Sequence, residues 1–142
     1  MKNSNLYLAA ALLLAASTTA SAAPNIQDGL WEITTRTEMQ GMPMAMPTVK
    51  HTACLSQKDA VPQKPEKDQK CTITSNKIEG NTVSWGMECR DKGQVIRSSG
   101  KVSYSGSSFS GTSHTTIEQP GEGKMQMTNQ MSGKRIGNCK QP

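Results

Sequence analysis

Cys71-Thr72-Ile73-Thr74-Ser75 and Thr82-Val83-Ser84-Trp85-Gly86-Met87-Glu88-Cys89 flank a Gly80-Asn81 turn, and this stretch decides the fold. Two runs with β-branched residues around a glycine–asparagine pair are the sequence form of a β-hairpin. In the second arm Val83, Trp85, Met87 and Cys89 fall on one face, the face expected to be buried.

The same signals continue on both sides. Arg90-Asp91-Lys92-Gly93 forms the next turn, followed by a run from Gln94 to Tyr104, a turn at 105–108 and a run from Phe109 to Glu118. Gln119-Pro120-Gly121-Glu122-Gly123 turns into Lys124 to Ser132, where Met125, Met127 and Met131 alternate inward. On the N-terminal side, Gly29 to Met39 alternates, with Trp31, Ile33, Thr35, Thr37 and Met39 on one face and Glu32, Arg36 and Glu38 among those opposite. A further strand is predicted from Thr48 to Leu55. Turn signals at roughly 8–12-residue spacing describe an antiparallel meander. The expected fold is all-β, with about seven or eight strands in a small or partly open barrel. A sandwich is the alternative.

Residues 1–22 read as a cleavable export signal. Lys2 supplies a positive start, Leu6 to Ala16 an apolar run, and Ala20-Ser21-Ala22 a small-residue cleavage site. The run is too short for a bilayer core that needs roughly 20 residues. Residues 23–142 then form a single domain in the periplasm. Losing Lys2 takes the formal charge from +5 to +4, with the remaining charges of both signs scattered. That pattern argues against nucleic acid as a partner.

Beyond residue 22 the aromatic residues are Trp31, Trp85, Tyr104 and Phe109, so the core is thin and needs covalent support. Cys54, Cys71, Cys89 and Cys139 in an oxidising compartment supply it as two disulfides. Cys54–Cys71 would clamp the proline- and lysine-containing loop from Ser56 to Lys70, and Cys89–Cys139 would then be the second pair. That is the preferred pairing. The rival joins Cys71 to Cys89 across the hairpin and Cys54 to Cys139. Ser56 could cap a short helical turn through Asp59.

Met39-Gln40-Gly41-Met42-Pro43-Met44-Ala45-Met46-Pro47 carries the only suggestion of a specific chemistry. Thioethers are soft ligands that suit Cu(I), so Met39, Met42, Met44 and Met46, with His51 just beyond, form a candidate metal set. The plainer reading has them fill gaps or make an adaptable apolar contact with an envelope partner. A third reading has Met87, Met125, Met127, Met131, Trp85 and Phe109 lining a barrel that holds a small hydrophobic ligand, with the Met-rich loop as its lid. Against it stands an interior simply filled by side chains. No nucleophile elbow, His-Glu-x-x-His helix, phosphate loop or Cys-x-x-Cys pair occurs, so catalysis is not expected.

Four segments together resemble a family: Gly29-Leu30-Trp31-Glu32-Ile33-Thr34, the Met-Pro alternation, Gly80-Asn81-Thr82-Val83-Ser84-Trp85, and Met131-Ser132-Gly133-Lys134-Arg135-Ile136-Gly137-Asn138-Cys139. They are similar to small exported proteobacterial proteins classed only as a domain of unknown function. The resemblance implies export, paired cysteines and a β-rich domain, and no site residues. The expected role is non-enzymatic binding or interaction in the periplasm.

Overall fold

The computed structural model describes residues 23–42, 46–60 and 70–140. The leader expected at 1–22, Met44, and most of the loop after Ala60 lie outside the described residues. Seven strands follow in order: β1 (Gly29–Met39), β2 (Val49–Leu55), β3 (Lys70–Glu79), β4 (Thr82–Asp91), β5 (Gln94–Tyr104), β6 (Ser108–Gln119) and β7 (Gly123–Gly137). They form one antiparallel sheet in the order β2-β1-β7-β6-β5-β4-β3. The all-β meander is as the alternation predicts. The sheet is not closed, since β2 and β3 stand at opposite edges, and one sheet rules out the sandwich alternative.

One connection departs from consecutive hairpins. β1 pairs with β2 on one side and with β7 on the other, so the chain between β2 and β3 passes from one edge to the opposite one. A 3-10 turn, Gln57–Asp59, begins that passage. Ser56 caps it, with its backbone N–H and hydroxyl donating to the Asp59 carboxylate at 3.0 and 2.8 Å. The hairpin turns follow their glycines. In Gly80-Asn81 only the first residue has positive φ, as a type II′ turn requires, and in Lys92-Gly93 both do, as type I′ requires.

Register divides the sheet into two unlike faces. Directly opposed residues Ile33, Gly133, Phe109 and Tyr104 run across the inner face, as do Thr35, Met131, Gly111, Val102 and Val83. The outer face carries Ser, Thr and charged residues such as Lys101, Thr112, Gln130 and Arg36. Trp31 and Val83 are fully buried and Val102 nearly so, making the centre of the core. With four aromatic residues to distribute, thickness comes from glycines placed opposite large side chains. Trp85 lies over Gly100, Val102 over Gly111 and Phe109 over Gly133.

The rest of the core cover comes from chain ends and loops. Ile26 bridges to Gly106, and the Trp31 indole N–H donates to the Gln27 carbonyl at 3.1 Å. Tyr104 donates its hydroxyl to the buried Ala60 carbonyl at 2.6 Å, tying the β2–β3 passage to β5. Burial, and then the Asp59 charge, push the Tyr104 phenol up to about 12. Tyr104→Phe strands a buried carbonyl, and the expected cost in urea denaturation is about 1–2 kcal/mol. Because the folded-state pKa is raised, this group's contribution is fully present below the ordinary phenol value. It is lost as pH rises from about 10 toward about 12, and Tyr104→Phe should flatten stability across that window.

The disulfides follow the rival pairing, not the preferred one: Cys54–Cys139 and Cys71–Cys89, with no cysteine free. Cys71 and Cys89 are directly opposed on β3 and β4, with Cα atoms 4.0 Å apart. Cys54 opposes Leu30 on the outer face of the far edge strand, while Cys71 and Cys89 share the inner face. A Cys54–Cys71 bond would have to join opposite faces at opposite edges. Cys139, just past the end of β7, instead reaches Cys54 around the start of β1, at a Cα separation of 5.8 Å.

Candidate functional site

The open edges leave the inner face incompletely covered, and a cavity of about 470 Å³ remains over its first half. Ile33, Leu55, Val102, Phe109 and Met131 form apolar walls, contributed by β1, β2, β5, β6 and β7. His51, Asp59 and Tyr104 add polar atoms to the same lining. Phe109 stands 5.6 Å from Trp31 and 5.8 Å from Tyr104 between ring centroids, so one wall is a tilted aromatic group. Phe109 packs against Gly133, where any side chain would collide with the ring, and also lines the cavity.

Beyond this cavity the inner face becomes polar. Thr37 donates to the Asn129 side-chain carbonyl at 2.7 Å, and the Asn129 amide reaches the Ser113 hydroxyl at 3.4 Å. Ser98 and Thr115 share a hydrogen bond at 3.0 Å in the adjacent row. Trp85 extends the Thr37–Asn129–Ser113 row through Gly100, and its buried indole N–H has no hydrogen-bond partner among the described residues. Past this belt, at the far end, a second cavity of about 360 Å³ is lined by Met39, Met42, Met125 and Ile117.

The structure therefore separates residues that the sequence places together. His51 opposes Ile33 and lines the first cavity, whereas Met39 lies six positions further along β1, roughly 20 Å at about 3.3 Å per residue. Met39 and Met42 instead line the second cavity with Met125, and Met46 is exposed. Of the residues expected to line a barrel interior, Phe109 and Met131 face the first cavity. Trp85 and Met87 pack with Cys89 in a separate cluster, and Met125 belongs to the far end. Sequence inspection missed Ile33, Leu55, Val102 and Tyr104 as a lining set. Their shared face was visible strand by strand, but their proximity depends on β1 lying beside β7.

The outer face offers a broad, open depression of about 630 Å³ lined by Thr and Ser hydroxyls with Arg36, Lys101 and Met131. Elsewhere on this face charged residues pair on the surface. Arg90 and Arg97 bond Glu88 and hold its carboxyl below the ordinary value, the Arg90 bond having the larger effect. Lys124 and then Arg97 do the same to Glu118, while Glu118 and then Glu88 raise the Arg97 guanidinium. His114 shares a 3.1 Å hydrogen bond with Thr128 there, away from either inner cavity. Among the described residues no three His, Cys, Asp or Glu side chains converge on a metal-sized site, and no helix is long and apolar enough to cross a membrane.

No match was found among curated proteins or among solved structures. The family model described as DUF3617, a protein of unknown function, matches residues 26–139, from Ile26 in the N-terminal segment to Cys139, the last cysteine. The chain belongs to the DUF3617 family.

Proposed function

We propose that the chain is an exported, non-catalytic binding protein that holds a small apolar or amphipathic ligand against the inner face of its open sheet. The observation that carries this reading is the 470 Å³ cavity walled by Ile33, Leu55, Val102, Phe109 and Met131. Its size lies in the range of ordinary ligand pockets, and its lining is mainly apolar with a few polar atoms on one side. A chain with so few large apolar residues would gain stability by filling that space, yet the core leaves it open. His51 and Asp59 give an amphipathic ligand a polar end to meet. The two disulfides suit an oxidising compartment, in keeping with export.

The test is titration of the purified chain with 1-N-phenylnaphthylamine, a neutral fluorophore that brightens in apolar surroundings. Saturable binding of one probe per chain is expected. Ala53→Glu puts a carboxylate in the cavity wall and should weaken binding by at least about tenfold. Thr112→Glu, on the outer face, should bind as the parent does. Equal binding by all three proteins, or none by the parent, rejects the reading.

A further inference from the structure

The far end of the inner face carries a grouping of a different kind. Met39 on β1 directly opposes Met127 on β7, which places their Cβ atoms about 4.5–5.5 Å apart. Met125 lies two residues from Met127 on the same face, opposite Ile117. The turn after β1 folds back toward them, with the Gln40 N–H donating to the Gln126 carbonyl at 3.0 Å and the Met42 N–H to the Met39 carbonyl at 3.4 Å. Met39, Met42 and Met125 consequently line one cavity of about 360 Å³. Met42 and Met125 are not buried in the core. Met42 is 59% and Met125 46% exposed, whereas Met87, which does pack, is 9% exposed.

We propose that Met39, Met42, Met125 and Met127 form a site for a soft monovalent cation, copper in the +1 state. Thioethers are uncharged and polarizable, and they favour Cu(I) over the hard divalent ions that carboxylates attract. Two adjacent strands place Met39, Met125 and Met127 at neighbouring positions, and Met42 lines the same cavity as Met39 and Met125, so the thioethers share one end of the sheet. The cation in the lining, Lys124, ion-pairs with Glu118 at 3.0 Å, which offsets its repulsion of a bound metal. Glu122 in the same lining adds a compensating negative charge. The grouping differs from a site built wholly on the Met-rich loop, because two of its four ligands come from β7. It also stands apart from the apolar cavity and does not depend on what that cavity holds.

Calorimetric titration of the full chain with Ag⁺, an air-stable stand-in for Cu(I), in chloride-free buffer tests the assignment. One Ag⁺ per chain is expected. Losing an outer-shell partner of a metal ligand costs about 10–100-fold in affinity, so removing a ligand should cost at least about tenfold. Met125→Leu and Met127→Leu should each show that loss. Met87→Leu and Met46→Leu should bind as the parent does, since neither side chain belongs to the cluster. Leucine keeps the apolar volume and rarely costs more than about 1.5 kcal/mol, and far-UV circular dichroism verifies that each variant is folded. Parent-like binding by folded Met125→Leu and Met127→Leu overturns the site, as does binding abolished by Met46→Leu or absent from the parent.

Discussion

Replacing Cys54 and Cys139 together by alanine should destabilise the domain by about 4–5 kcal/mol, the largest single loss that the fold predicts. The bond closes a loop of 85 residues, and the chain-entropy relation assigns a loop of that length close to the upper end of the usual range. Cys71 and Cys89 are 18 residues apart and directly opposed, so the same relation gives that bond about 3 kcal/mol. Local structure reinforces the order. β2 has seven residues and a single neighbour, β1, so little besides the Cys54 anchor stops its far end from peeling away. β4, which holds Cys89, is paired on both sides and buries Val83 and Trp85 as well. Urea denaturation of the two double-alanine variants, each with its other disulfide intact, makes the comparison. A smaller loss for Cys54/Cys139 than for Cys71/Cys89 would show that loop length and edge anchoring do not govern stability here.

The sequence reading of the strands succeeded where the information is local. Period-two alternation in Gly29–Met39 and the Gly80-Asn81 turn define β1 and the β3–β4 hairpin without knowledge of the remainder. Strand order is not local. Nothing in the pattern of β1 states that β7 will lie on its free side, and the alternation of β7 is compatible with an edge position. The missed disulfide pairing has the same root. Cys89 shares a face with Val83, Trp85 and Met87, and Cys71 opposes it, so register alone would have favoured their bond. Clamping the loop after Leu55 with a Cys54–Cys71 bond would need β2 and β3 to be neighbours, and they stand at opposite edges of the sheet. The methionines follow suit: four in nine residues draw attention to the loop, while the structure adds Met125 and Met127, which are 86 and 88 positions beyond Met39 in the chain.

Gly100→Ala should cost about 2 kcal/mol, a sign opposite to the usual effect of such a change in a strand. Glycine weakens strands, and alanine in an extended backbone normally gains about 0.4–1 kcal/mol by restricting the unfolded chain. Gly100 has ordinary negative φ, so backbone strain does not enter. What decides the sign is the ring above it. A Cβ built on Gly100 would stand 2.7–2.9 Å from three atoms of the Trp85 indole, closer than non-bonded carbons can approach. Trp85 is 3% exposed and packed with Met87 and Cys89, and Cys89 is tied to Cys71, so the ring cannot swing aside cheaply. A double-mutant cycle isolates this contact. Trp85→Leu removes the overlap at its own cost in buried area, and in that background Gly100→Ala should be neutral or stabilising. The coupling between the two sites should then be about 2 kcal/mol, read from thermal or urea denaturation of the four proteins. Additive effects would mean that Trp85 does not lie over Gly100 in solution, and the inner face would lose one of the three glycine–side-chain pairs that give this single sheet its core.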